Sequence, residues 1–246
     1  MTKLLLLGLG VIALSWSMYV LPDRWTLGGE LDVAKQLVSG RTYRARDLKQ
    51  ALAPSLMLVD TGRDNPAVAR ARAIVALYLA EFSASDSGAA DRDSALLTAQ
   101  RAVGDALIQN PYDSILWLND YLLQIAASGF ASEHAVLLDQ SYAMGPREGW
   151  IAISRNRRAL AILPFLNPSS QQLAVSEFAA LVNAGLSEVA QASLTGAGWI
   201  YRERLLASLE KVDLPAREAF ARTLWDSGVS VQVPGVSIPD QPWRRN

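Results

Sequence analysis

Cysteine is absent from this 246-residue chain, which excludes disulfides, thiolate metal sites and cysteine nucleophiles. His134 is the one histidine, so neither a multi-histidine metal site nor an H-E-x-x-H protease can form. Asp139 follows it, but no G-x-S-x-G elbow accompanies the pair, and His134 reads as a partly exposed helix residue. A G-x-x-x-x-G-K-[ST] loop and a G-x-G-x-x-G fingerprint are also missing, which removes the common nucleotide-binding readings. No metal and no cofactor is expected. The formal charge is −1, so no net field favours nucleic acid. Lysine is scarce, since 19 of the 23 basic residues are arginine. Arginine suits carboxylate and phosphate recognition, although a GC-rich genome produces the same bias.

What the chain does contain is one long apolar run, Leu4 to Leu21, uncharged over 18 residues. As a helix it would span about 27 Å, close to the roughly 30 Å of a hydrocarbon core. It reads as a membrane anchor, with Trp16, Tyr19 and Trp25 suited to the far interface, where amphipathic rings settle. A cleaved signal peptide is the alternative, because Ser15-Trp16-Ser17 offers small residues two apart. Against it, Met18 to Leu21 carry the apolar character beyond the usual ~7–15 residues of a signal sequence. Lys3 and the free amino group precede the run, while Asp23 and Arg24 cancel behind it. That asymmetry points the rest of the chain outward, into the periplasm of a Gram-negative cell.

After Trp25 the text is a succession of helical segments punctuated by Pro and Gly, with little period-two alternation. The expected class is all-α: a transmembrane helix over residues 1–25, an array of antiparallel helical hairpins over 26–227, and an extended tail over 228–246. Short helices are expected at Glu30–Val38 and Ala45–Leu52. Asn65-Pro66 opens a strong one whose buried stripe is Val68, Ala71, Val75, Leu79 and Phe82. Ser83 to Asp93 reads as a solvated loop. Further helices are expected at Ser94–Gln109, Tyr112–Ala127, Ser132–Met144, Glu148–Leu163 and Gln171–Asn183, the last capped by Ser169, then at Leu186–Leu194, Gly198–Leu209 and Pro215–Trp225. Pro234, Pro239 and Pro242 break any period in the tail, which is expected to lie over the last helices.

The middle of the chain carries a resemblance. Pro111 to Pro146 is a unit of 35 residues, beside roughly 34 in a tetratricopeptide repeat. Within it NPYDSILW puts Trp117 where that family's first-helix tryptophan falls, Gly129 lies one residue past the turn glycine, and Leu138 and Ser141 hold the aromatic and small positions of the second helix. Asp120 and Tyr121 replace the usual Leu-Gly pair, and the neighbouring Pro66–Pro111 and Pro146–Pro168 intervals are 45 and 22 residues, so the flanking units are degenerate. The order of anchor, NPYDSILW and GPREGWIAISRNRRALAILPFL is similar to membrane-anchored helical-repeat proteins that accompany bacterial O-antigen and exopolysaccharide polymerases and ligases. The resemblance implies an accessory or scaffold role in polysaccharide assembly at the inner membrane, beside another membrane or periplasmic protein. It supplies no catalytic residue.

For binding, the expected surface bears Arg147, Arg155 and Arg158 beside Trp150 and Trp117, with Arg155, Arg157 and Arg158 on the polar side of one helix. Arginine forks onto carboxylates or phosphates, and aromatic faces stack on sugars or side chains. The competing reading is that the tryptophans are core and the arginines merely solvated. Direct glycan binding is the alternative function, and glycan cleavage a third, because a lone buried glutamate can act as general acid in a helical fold. Glu81, Glu177, Glu188 and Glu203 are the candidates, each read first as an ordinary helix-surface carboxylate.

Overall fold

A computed structural model describes residues 65–86, 88–146 and 148–237. The expected anchor with Trp16, Tyr19 and Trp25, the two short helices before Asn65, Arg147, and the tail beyond residue 237 lie outside the described residues. The described residues are helical, without strands, and none of their helices is long and apolar enough to cross a membrane. The chain divides into two compact units between Pro111 and Tyr112, where the sequence suggests one continuous array.

In the first unit, α1 (Pro66–Asp86) and α2 (Ala89–Gln109) form one hairpin. The Asn65 carboxamide accepts a hydrogen bond from the Ala67 N–H, satisfying an amide that the helix itself leaves free. Buried alanines dominate the seam: Ala69, Ala73 and Ala76 on α1, and Ala99, Ala102 and Ala106 on α2, with Val68, Val75 and Val103 between them. Side chains this small let helix backbones approach closely. At the open end, Asn110 Nδ2 donates to the Pro66 carbonyl at 2.9 Å and ties the two termini together. The expected loop over Ser83–Asp93 is instead mostly helix, because α1 continues to Asp86 and α2 begins at Ala89. Ser, Asp and Ala carry only modest helix penalties, so polarity there does not mark a break. Phe82, at the end of the expected stripe, is exposed.

The second unit begins with the hairpin of α3 (Ser114–Ser128) and α4 (Ala135–Met144). Asp113 caps α3 by accepting from the Ile115 N–H, and Gly129 at φ 77° makes the turn. A 3-10 turn over Ser132–His134 leads into α4. The hairpin of α5 (Gly149–Ala161) and α6 (Pro168–Asn183) follows. Asn167 caps α6 by accepting from the Ser170 N–H, with Pro168 as its first helical residue; the cap is therefore Asn167 and not Ser169.

Next come α7 (Ser187–Thr195), α8 (Arg202–Ala207) and α9 (Leu214–Asp226). The helix expected over Gly198–Leu209 is broken into α8 between 3-10 turns at Trp199–Tyr201 and Ser208–Lys211. Gly198 lies so close to the Ser193 carbonyl and Leu205 that a Cβ there would clash at 2.6 and 2.8 Å. A tight turn consequently replaces a continuous helix.

One core cluster runs from Leu118 and Leu138 through Ile151, Leu160 and Phe178 to Phe220 and Leu224. Phe178 and Phe220 meet edge to face at 5.9 Å. After Gly228 the described chain carries no helix and turns once at Pro234-Gly235, where Gly235 has φ 71°, and Val233 is buried in this core. The described part of the tail lies on α9, where Arg217 Nη1 donates to the Pro234 carbonyl.

Candidate functional site

The residues of α5 divide sharply into an inner and an outer face. Ile151, Ala152, Arg155, Asn156, Ala159 and Leu160 point inward, at the spacing of one helical stripe. Arg155 is thus 0% exposed, which corrects the expectation that it shares a polar surface with Arg157 and Arg158. Its burial is compensated by Glu177 on α6, whose side chain is 4% exposed. The guanidinium donates to Glu177 Oε1 from Nη2 at 2.6 Å and from Nε at 3.1 Å, two charge-assisted bonds converging on one oxygen. Nη1 donates to the Ser141 carbonyl and Nη2 to the Gly145 carbonyl, at 2.9 and 3.0 Å. The Ser141 carbonyl also accepts from the Gly145 N–H, so the guanidinium adds a second donor at the end of α4 and one to the Gly145 carbonyl just beyond it. The same guanidinium sits over the Tyr142 ring, 4.0 Å from its centroid.

The other carboxylate oxygen, Glu177 Oε2, accepts from the Tyr142 hydroxyl at 2.7 Å and from Asn156 Nδ2 at 3.4 Å. Burial and the adjacent Glu177 charge hold the Tyr142 hydroxyl well above its usual range, while Arg155 opposes them. Tyr142 consequently stays a donor at neutral pH. Asn156 Nδ2 also donates to the Ala174 carbonyl at 2.8 Å, joining α5 to α6. Ser141 Oγ donates to the Ser114 carbonyl at 2.8 Å, which locks α4 onto α3 at the position where the repeat resemblance calls for a small residue. Five side chains therefore join α3, α4, α5 and α6 through one buried hub.

The hub is structural in its geometry. Glu177 is no helix-surface carboxylate, as the sequence suggested; both of its oxygens are hydrogen-bonded. It also does not line the groove of about 370 Å³ that opens along the outer side of α6, between Ser176, Ala179 and Asn183 and the Ser208–Val212 segment. Glu81, Glu188 and Glu203 are exposed on helices. Among the described residues no group of His, Asp and Glu is arranged to hold a metal ion. His134 is half-buried in the turn before α4, where Nδ1 accepts from the Ala131 N–H.

The outer face of α5 is different. Trp150, Ile153 and Arg157 recur at the i, i+3, i+7 spacing of one stripe, and the first two are 55% and 47% exposed. Arg158 is half-buried beside them and donates from Nη1 to Ser154 on its own helix. Its charge also reaches Tyr121 on α3, where it opposes the upward push that burial gives that hydroxyl. Arg157 has no hydrogen-bond or ion-pair partner among the described residues. It lies against the turn after α7, with Nε 3.9 Å from where a Cβ on Gly196 would stand. That turn continues to exposed Trp199, on which Arg202 stacks at 5.3 Å.

Of the expected binding residues, the structure places Trp150 and Arg158 on α5, the former outward and the latter half-buried, and puts Arg155 inside. Trp117 is half-buried on α3. Arg157 and Ile153 belong to the stripe but were not among the residues singled out for binding. The signal was present, since both fall opposite the Ile151–Arg155–Ala159 row on a helical projection. No family model, curated protein or solved structure matches this chain.

Proposed function

We propose that this chain is a membrane-tethered interaction module, held at the bacterial inner membrane through residues 4–21 with its helical hairpins in the periplasm. The observation that carries the interaction reading is the outward Trp150–Ile153–Arg157 stripe on a helix whose inner face is pinned by Arg155 and Glu177. Tryptophan and arginine are the residue types that dominate binding energy at interfaces. A helix already folded presents them without the cost of ordering its backbone, and only their side chains are ordered on binding. The tether rests on the apolar N-terminal run, and the accessory role in cell-surface polysaccharide assembly rests on the resemblance to helical-repeat proteins of those systems.

Direct glycan binding is the second reading, favoured by the exposed Trp150 ring beside arginines, a pairing that also stacks on sugars. The experiment is affinity capture from membranes with the full chain and its Trp150→Ala, Ile153→Ala double variant. Loss of a co-purifying protein at unchanged thermal stability supports the module. Capture undiminished by the double variant removes the α5 stripe from the account, and loss of a glycan instead of a protein moves it to the second reading.

A further inference from the structure

The outer surface of α5 is locally positive in a chain whose formal charge is −1. Residues Gly149–Ala161 contain three arginines and no carboxylate. One of the three, Arg155, is neutralised internally by Glu177, so its charge is balanced before it reaches the surface. Arg157 and Arg158 remain. Neither is matched by a carboxylate among the described residues: Arg157 has no partner there, and Arg158 hydrogen-bonds only to Ser154. The adjoining turn adds Arg202 over Trp199, and its one carboxylate, Glu203, stands between Arg202 and Arg204. Unmatched arginines next to half-exposed apolar side chains leave two needs unmet on one stripe, a set of carboxylates and a cover for Trp150 and Ile153.

Resting on the interaction reading above, we infer that this stripe docks an acidic, amphipathic segment of a protein partner. Arg157 and Arg158 take its carboxylates, and Trp150 and Ile153 take its apolar side chains. The arrangement favours a linear segment. The four residues follow one helix face over about two turns, roughly 11 Å, which matches the span of a few residues of a helix or strand. Arginine's planar fork also matches a carboxylate in two parallel hydrogen bonds, which a lysine cannot do. An anionic bilayer is the less suitable occupant, because in-plane membrane binding needs a broad apolar face and this one offers two large apolar residues.

The test uses the full chain in detergent and three probes: a helical peptide with Leu and Glu on one face, the same peptide with Lys for Glu, and phosphatidylglycerol-containing vesicles. Binding is followed by tryptophan fluorescence and calorimetry. The acidic peptide is expected to bind at least tenfold more tightly than the Lys peptide and to weaken with added salt. Arg157→Glu with Arg158→Glu is expected to reverse the preference, with circular dichroism confirming an unchanged fold. Equal affinity for the two peptides, or binding to vesicles and to neither peptide, overturns the inference. The two levels separate in the membrane capture. If Trp150→Ala abolishes capture and the charge reversal leaves it intact, the docking face stands and its acidic specificity falls; if neither variant changes capture, both fall.

Discussion

Arg155 Nη2 lies 2.6 Å from Glu177 Oε1, with neither side chain more than 4% exposed, and this one contact joins α5 to α6 while its guanidinium closes the end of α4. A buried ion pair of this kind need not add net stability, because desolvating two charges offsets much of their attraction. Removing one partner is a different matter, since it strands the other. Arg155→Met and Glu177→Leu are each expected to cost about 3–5 kcal/mol in urea unfolding, while the double variant recovers most of that loss. Additive losses in the double variant would show that the two residues act separately.

Tyr142 supplies an alkaline signature. Its hydroxyl is held well above the ordinary 10.0 by burial first and the Glu177 charge second, so the folded chain keeps a proton that the unfolded chain releases. The stability this represents is fully present below pH about 10 and declines as pH rises toward the folded value. Tyr142→Phe is expected to lose about 1–3 kcal/mol at pH 7 by leaving Glu177 Oε2 short of a donor. Unlike wild type, the variant has no Tyr142 contribution to the decline above pH 10, and stability curves against pH that run parallel for the two proteins would contradict this.

At Asp120 the shift has the same sign, but its window lies below neutral pH, so at pH 7 the cost is already present. Burial raises this carboxyl above 3.8, against the Gln124 hydrogen bond and the His134 charge. An acid whose folded pKa is raised favours the folded state when protonated, so its contribution declines as pH climbs from 3.8 through the folded value. Asp120→Asn is therefore expected to raise Tm slightly at pH 7, with the gain disappearing below about pH 3.8. A gain independent of pH would mean that charge is not its source.

Val233 anchors the tail. It is buried in the same cluster as Phe220 and Leu224, so Val233→Ala is expected to cost about 2 kcal/mol and to expose the segment after Gly228 to limited proteolysis. Unchanged cleavage would mean that the tail is held by Arg217 and its neighbours instead.

How far the sequence reached is clearest in particular residues. Proline and glycine marked where helices stop and start, because a missing amide or a positive φ is a local requirement that no packing can override. Asn65-Pro66 and Gly129 are legible for that reason. The loop expected between α1 and α2 is mostly helix because Ser and Asp are tolerated within a helix, and composition alone does not separate that from a turn. Residue type alone places Arg155 on the surface, while its position places it inside. Its place in the Ile151–Arg155–Ala159 row, and that of Glu177 among Ala174, Phe178 and Leu181, put opposite charges in the apolar stripes of neighbouring helices. That pattern signals a buried pair, whereas the identity of its hydrogen-bond partners needs three dimensions. The outward stripe at Trp150, Ile153 and Arg157 was half legible, since Trp150 was singled out and the period identifies its companions.

Photo-crosslinking in membranes from a benzoyl-phenylalanine placed at Ile153 of the full chain, with the same probe at exposed Glu210 as control, decides whether the outer face of α5 meets a partner. A discrete protein-sized adduct is expected from position 153, lost when Trp150 is also changed to Ala, and none from position 210. No adduct from position 153, or the same adducts from both positions, would contradict a partner at that face.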